Sequence, residues 1–323
     1  MWVCYMKRSQ KNRIITVTLN PAIDKTIEVN DFKLGEVNRI STSRLDAGGK
    51  GINVSKVIRS LGGGSTALGI LSGRNGEFIK AYLDSLNIEN NFIFAEGETR
   101  TNLKIIDKLN HSNTDINEKG NAVNTEDLER VKESIFRAIN EDSILVLSGS
   151  IPEGTPKDIY GLWIEEFKKL GVKTILDADG EVLKEGIKAV PYLIKPNIHE
   201  LEKLYGESFH SIEEIIKAAN KLLKYGIEKV VISLGKDGGL FMDNNNIIHA
   251  KGMQVPVNST VGAGDSMVAA IALSIEKGIS MEETVILAAA ASTANVMTSG
   301  SEPAQFQSVL ELAEKVKFER IKF

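Results

Sequence analysis

The sequence is poor in the residues that staple or metallate a protein. Among 323 residues there is one cysteine, Cys4, and there are four histidines. A single thiol excludes an intrachain disulfide and fits a reducing compartment, so a cytoplasmic location is expected. Cys4, His111, His210 and His249 share no metal-ligand spacing, and no Ser-His-Asp arrangement suggests itself. Excess positive charge is missing too: 39 Lys and Arg face 43 Asp and Glu, a net charge of −4. A general nucleic-acid binder needs a basic surface to replace released counterions, so that class is set aside. No apolar run approaches the roughly 18 residues of a membrane span, and no membrane partner is expected. Residues 1–13 carry Lys7, Arg8, Lys11 and Arg13 without the apolar stretch of a secretory signal. They are expected to be a disordered extension, with Met6 an alternative start, ahead of one domain over 14–323. Two nucleotide fingerprints are absent. No segment reads Gly-x-x-x-x-Gly-Lys-Ser/Thr, and Gly-x-Gly-x-x-Gly fails at Val54 and again at Met267.

What is present is a rhythm. Short β-branched runs at 14–19, 66–71, 144–147, 174–176, 192–194 and 230–232 alternate with helical patterns. Leu128, Val131, Ile135 and Ile139 form one apolar stripe, with Asn124 or Thr125 available to cap it. Ser211-Ile212-Glu213-Glu214 and Ser280-Met281-Glu282-Glu283 match the capping box. The alternation predicts a mainly parallel sheet covered by helices on both faces. Segments 25–45 and 101–117 break it with alternating polar and apolar residues. They are read as antiparallel strands outside the main sheet, forming a small lid. Such a sheet often finds a second partner surface in another copy of the chain, so a homodimer through the lid is expected.

The most informative stretch is Asn258-Ser259-Thr260-Val261-Gly262-Ala263-Gly264-Asp265-Ser266, followed by the helical Met267, Val268, Ile271, Leu273 and Ile275. Two glycines bracketing an alanine let successive N–H groups converge, and the helix adds its positive dipole end. That pocket suits a phosphoryl group. Asp265 would repel such a ligand unless it faces something else, such as a hydroxyl about to attack phosphorus. An anion hole with an adjacent carboxylate is the minimum kit for phosphoryl transfer to an alcohol. Taken alone, the four residues are equally a glycine-rich helix start with Asp265 in its first turn.

Four further constellations bear on this choice. Ala47-Gly48-Gly49-Lys50-Gly51-Ile52-Asn53-Val54 leads into a helix; its glycines permit close approach, and Lys50 and Asn53 suit a phosphorylated polyol. A plain connecting loop is the alternative. Asn20-Pro21-Ala22-Ile23-Asp24 follows the first strand, where carboxyl ends face the ligand crevice. Asp24 suits sugar hydroxyls, though an Asx turn gives the same pattern. In Lys195-Pro196-Asn197-Ile198-His199-Glu200, Asn197 and Glu200 share one helix face and can hold the water shell of Mg²⁺. As N-cap and N3 they equally make a capping box. Ser233-Leu234-Gly235-Lys236-Asp237-Gly238-Gly239 is a tight turn between strands that suits a nucleotide. Arg39 and Arg100 are candidate clamps for a sugar phosphate, because arginine's planar fork binds phosphate bidentately; a solvated lid arginine is the bland alternative.

In this order the motifs resemble the ribokinase-like sugar kinases of the PfkB family, over about residues 14–300. The Gly-Gly-Lys-Gly-Ile-Asn and Ser-Thr-Val-Gly-Ala-Gly-Asp-Ser elements are similar to its two signatures. The resemblance implies an α/β fold, a three-layer α/β/α sandwich with a mainly parallel sheet and a small β-sheet lid. It implies ATP, Mg²⁺ and a sugar-phosphate substrate. Asp265 would then be the catalytic base and a substrate contact, Gly262, Ala263 and Gly264 the anion hole, and Asn197 and Glu200 neighbours of Mg²⁺ through water. Lys195, Asn197, Ser233, Leu234, Gly235, Lys236, Asp237, Gly238, Thr260, Gly262 and Gly264 would meet ATP. Asp24, Arg39, Gly48, Gly49, Lys50, Asn53, Arg100, Asn102 and Ser150 would meet the sugar. Within the family, Asn20 to Asp24, Glu36-Val37-Asn38-Arg39 and the Arg-x-Asn-x-Lys pattern at 100–104 look most like kinases acting on the 6-hydroxyl of fructose 1-phosphate. Those acting on tagatose 6-phosphate are close behind. A non-catalytic sugar-phosphate sensor is the reading of another class, against which Asp265, Asn197 and Glu200 speak. Many relatives also hold a monovalent cation near the segment equivalent to 294–300, which includes Thr298.

Overall fold

Short aliphatic runs buried on both faces build the centre of the molecule, which the computed structural model describes for residues 12–298, 300 and 302–322. Cys4, and the extension expected at 1–13 apart from its last two residues, lie outside the described residues. The first half runs β1 (Ile14–Thr18), β2 (Ala22–Val29), β3 (Ile40–Gly48), α1 (Lys50–Ser60), β4 (Ser65–Ser72), α2 (Gly73–Ser85), β5 (Glu89–Asn90), β6 (Ile93–Ala95), β7 (Arg100–Asp107), β8 (Ser112–Asn117), α3 (Thr125–Ala138) and β9 (Ile144–Ser148). Then come α4 (Ile159–Lys168), β10 (Lys173–Asp177), α5 (Gly180–Lys188), β11 (Leu193–Ile194), α6 (Ile198–Tyr205), α7 (Ile212–Tyr225) and β12 (Lys229–Ser233). The chain continues with β13 (Gly239–Asp243), β14 (Ile247–Ala250), α8 (Ala263–Lys277), α9 (Met281–Val296), α10 (Phe306–Ala313) and β15 (Phe318–Arg320).

The large sheet has the order β15-β14-β13-β12-β11-β10-β9-β1-β4-β5, with β6 beside β4. From β12 to β5 the neighbours are parallel, and β13, β14 and β15 close one edge antiparallel. Side chains alternate across the pleat. Ile15 and Val17 enter a core closed by Val131 and Ile135 of α3 and Trp163 and Phe167 of α4. Ile14 enters the opposite core, with Val54 and Ile58 of α1 and Val268 and Ile271 of α8. The six expected strands are β1, β4, β9, β10, β11 and β12, and helices cover both faces. Asn124 caps α3 by accepting from the Asp127 N–H at 2.8 Å. Ser280 and Glu283 complete a capping box. Ser211 accepts from Glu214 N–H, but the Glu214 carboxylate turns to His210 N–H instead, so that box is displaced by one residue. Among the described residues no helix is long and apolar enough to cross a membrane.

The lid is a separate sheet in the order β3-β2-β7-β8. The expectation of antiparallel strands is corrected at its centre, where β2 and β7 pair in parallel over Ala22–Val29. The chain leaves the lid after β3, passes through α1, β4 and α2, and returns; that long crossover allows the parallel pair. Only β2–β3 and β7–β8 are antiparallel. The lid segment expected at 25–45 also begins earlier, at Ala22, and is interrupted between Val29 and Ile40. The carboxyl ends of β1, β9, β10, β11 and β12 and the starts of α1 and α8 open on one side, and the lid supplies the facing wall.

Candidate active site

Glycine decides the local geometry where α8 begins. Gly262 is its N-cap with φ +82°, a left-handed conformation that a side chain disfavours. The first residue to bond within the helix is Ser266, whose N–H donates to Gly262 O at 2.8 Å. The N–H groups of Ala263, Gly264 and Asp265 are thus the free donors of a helix start. They open into a cleft of about 1120 Å³. Asp265 is 6% exposed and accepts from Asn53 Nδ2 through Oδ2 at 2.8 Å. This bond joins the first turns of α1 and α8 and leaves Asp265 Oδ1 for another partner.

The surrounding charges are arranged around a residue the sequence reading passed over. Asp177, at the end of β10 and 1% exposed, lies 3.3 Å from Lys50 Nζ and 3.4 Å from Lys195 Nζ. It also accepts from Ser148 Oγ at 3.2 Å. Burial pushes the Asp177 carboxyl up, but Lys195 and Lys50 outweigh burial and hold it below the usual carboxylate range. Burial likewise works against the Lys50 ammonium, and Asp177, Asp265 and Glu200 more than reverse this. Asp265 goes the other way: burial, then the Asp177 charge, raise its pKa to about 6 against Lys50, Asn53 and Lys195. It is therefore a base whose ionisation sits just below neutrality.

On the facing wall Asp24 accepts from Asn102 Nδ2 at 3.0 Å, and burial raises its pKa despite that bond. Gly48 backs it closely, since a Cβ there would come within 2.2 Å of Asp24 Oδ2. Asn53 Oδ1 and Asn102 Oδ1 are buried without a hydrogen-bond partner. Both suit the donated hydroxyls of a polyol. The Arg100 guanidinium donates to the carbonyls of Glu118 at 2.9 Å, Asn20 at 3.1 Å and Pro21 at 3.4 Å. It braces the lid where it joins the sheet. Arg39 is exposed in the loop between β2 and β3, away from the cleft lining.

On the nucleotide side, Lys195, Asn197, Glu200, Ser233, Leu234, Gly235, Lys236, Gly238 and Thr260 all border the cleft, as does Ser150 on the sugar side. Asp237 is turned away; its carbonyl accepts from His249 Nε2 at 3.0 Å. Asn197 and Glu200 do form the capping box, with both bonds at 2.8 Å. This leaves Asn197 Nδ2 and Glu200 Oε1 free of that box. Among the described residues no three His, Cys, Asp or Glu side chains converge to hold a metal. The donor set thus fits Mg²⁺ that keeps its waters and phosphate ligands, not a protein cage. In the segment expected beside a monovalent cation, Val296 O accepts from the N–H groups of Asn258 and Ser259, and Met297 O from Asn258 Nδ2. A cation there would share those oxygens.

Comparison with known proteins agrees with this geometry. The model of the pfkB family carbohydrate kinases matches residues 17–305. The chain is 36% identical, over 95% of its length and 99% of the relative's, to a 1-phosphofructokinase of Borreliella burgdorferi. To the 1-phosphofructokinase of Haemophilus influenzae it is 37% identical over 95% of its length and 98% of the relative's. The structure of phosphofructokinase-2 from Escherichia coli in complex with potassium superposes with a TM-score of 0.90 at 30% identity, covering 94% of this chain and 99% of that one.

Proposed function

The chain belongs to the pfkB family of carbohydrate kinases, and from that premise we propose that it phosphorylates fructose 1-phosphate at the 6-hydroxyl, with ATP as donor, giving fructose 1,6-bisphosphate. The observation that carries the reading is Asp265 Oδ1, left open beside the free N–H groups of α8 and opposite the unpartnered amide oxygen of Asn102. Relatives named 1-phosphofructokinase match nearly the whole chain, which favours fructose 1-phosphate over tagatose 6-phosphate. A sensor without activity has no use for a buried carboxylate whose pKa is set near 6.

Asp24, Asn102 and Asn53 hold the sugar hydroxyls, and Asp265 Oδ1 orients the 6-hydroxyl and takes its proton. Phosphoryl transfer passes through a loose transition state, so a carboxylate is base enough. The N–H groups of Ala263, Gly264 and Asp265 receive the charge on the transferred group, and Lys50 and Lys195 offset it from below. Mg²⁺, when bound, neutralises the phosphate oxygens, with Glu200 and Asn197 holding its water shell. We read residues 14–323 as one kinase unit working in the cytoplasm. We also infer a homodimer that covers the exposed Leu34, Val37, Ile40 and Ile116 of the lid and its loop. Release of ADP from Mg·ATP with fructose 1-phosphate, tagatose 6-phosphate and fructose 6-phosphate, measured side by side, tests the assignment. A dominant kcat/KM for fructose 1-phosphate is expected; a preference for tagatose 6-phosphate replaces the substrate, and no turnover overturns the kinase. Exchanging potassium for a tetraalkylammonium ion in the same assay tests the monovalent cation.

A further inference from the structure

The turn between β12 and β13 is shaped by its own main chain. Leu234 N–H donates to Gly238 O at 2.9 Å, Asp237 N–H to Leu234 O at 3.2 Å and Gly238 N–H to Gly235 O at 3.1 Å. Ser233, Leu234, Gly235, Lys236 and Gly238 of this turn border the cleft. Its back rests on the chain that leaves β14. A Cβ at Gly252 would come within 1.8 Å of Lys236 O, and one at Gly238 within 2.0 Å of Ala250 O. Close packing of this kind limits how far the turn can retreat. A directional bond is what aims it, and that bond comes from His249.

His249 lies on β14, 6% exposed, and its Nε2 donates to Asp237 O at 3.0 Å. The other ring nitrogen, Nδ1, is 3.1 Å from Lys251 Nζ. An ammonium has donors and no acceptor, so Nδ1 presents its lone pair and the proton sits on Nε2, facing the carbonyl. Lys251 is held in turn by Glu319, which stands opposite His249 in the ladder between β14 and β15. Lys251 N–H also donates to Lys317 O at 2.8 Å, just ahead of β15. A polar chain thus runs from the C-terminal strand through Glu319, Lys251 and His249 to the main chain of the turn.

We propose that His249 is a positioning residue for the nucleotide. It holds the turn 233–238 at the place where its main chain meets ATP, and the Lys251–Glu319 pair keeps the imidazole proton on the nitrogen that does so. The C-terminal strand β15 thereby contributes to nucleotide affinity without touching the nucleotide. The inference rests on the kinase reading above, which puts ATP at this turn.

The test compares the wild type with His249→Leu, His249→Gln and Glu319→Gln. Titration calorimetry with adenylyl imidodiphosphate and Mg²⁺ gives nucleotide affinity without turnover, and steady-state kinetics give kcat and both KM values. His249→Leu should weaken binding of the analogue and raise the KM for ATP about 5- to 20-fold, the size of one buried hydrogen bond left unmade. The KM for fructose 1-phosphate and kcat should stay within a factor of two. Glutamine can place an amide N–H near the lost Nε2, so His249→Gln should restore most of the affinity. Glu319→Gln breaks only a half-exposed pair and should cost about twofold, again in nucleotide affinity alone. Wild-type nucleotide affinity in His249→Leu, or in Glu319→Gln should the leucine variant not fold, overturns the proposal. An equal decline for fructose 1-phosphate also overturns it, since that marks a merely structural role. A wild type that binds the analogue through His249 but phosphorylates none of the sugar phosphates leaves this inference standing and the kinase reading fallen. Failure of the wild type to bind the analogue overturns both.

Discussion

Along α8 every residue from Asp265 to Ser274 is buried, whereas along β8 of the lid every residue from Ser112 to Asn117 is exposed. The two walls of one cleft thus differ in kind. The floor places Asp177, Lys50, Lys195 and Asp265 among packed helices and strand ends, where charges are poorly screened and hold fixed positions. The lid has a small cluster of its own, Ile27, Val29 and Ile105 with Phe32 and Leu103 against it. So thin a sheet has few apolar contacts to hold it and belongs to the low-stability end of the molecule. In the function proposed above, the chemistry that needs preorganised charge would fall to the floor and recognition of the sugar to the lid.

The comparison breaks most completely at Asp265. Asp265→Asn keeps the shape and the neighbour Asn53 but removes the base, so kcat should fall by about 10² to 10⁴ while ATP affinity changes little. Stability should move the other way. Because the native pKa is raised to about 6, the fold favours the protonated carboxyl. Its contribution to stability is full below about pH 4 and declines as pH rises through 6. The asparagine variant should therefore unfold at the same or a higher temperature than the wild type at pH 8, which a thermal melt measures. A melt that drops by many degrees would show a structural role and remove Asp265 from the base assignment.

Asp177→Asn sharpens the same contrast inside the floor. It leaves Lys50 and Lys195 without their shared partner and takes away a charge that raises the Asp265 pKa. The wild type should lose kcat/KM for fructose 1-phosphate on its acid limb near pH 6, where Asp265 protonates. In the variant that limb should move to lower pH, with kcat/KM reduced about 10- to 100-fold at neutral pH from displaced lysines. An acid limb that stays in place would mean that Asp177 does not act on Asp265.

Much of the floor was legible because glycine-rich helix starts are local patterns. Gly262 to Asp265 and Gly48 to Asn53 announce open N–H groups within a few residues, and the strands announce themselves by aliphatic runs. Asp177 was not legible. Its local context, Asp177-Ala178-Asp179-Gly180 after a strand, is that of many turns, and its partner Lys50 is 127 residues away. A carboxylate closing a buried strand, with two cleft lysines in need of a counter-ion, was the signal available. Arg100 is legible as a residue type, but its bonds to the carbonyls of Asn20, Pro21 and Glu118 are not, because two of those partners lie about 80 residues away. The parallel pairing of β2 and β7 escaped for a similar reason, because alternation marks a strand but not its neighbour.

The junction between floor and lid gives the smallest effect and the finest test. Gly48 ends β3 just before α1, and its φ is not in the left-handed region, so alanine is acceptable to the backbone. Space is what forbids it, with the added Cβ 2.2 Å from Asp24 Oδ2. Gly48→Ala must push the carboxylate off its place and lengthen the bond from Asn102. The sugar hydroxyls then lose a held acceptor, while Asp265, Asn53 and the α8 donors are untouched. KM for fructose 1-phosphate should rise about 5- to 10-fold, the size of one hydrogen bond, with kcat and the KM for ATP within a factor of two. If kcat falls with an unaltered KM, the lid does more than bind, and the division of labour between the two walls is wrong.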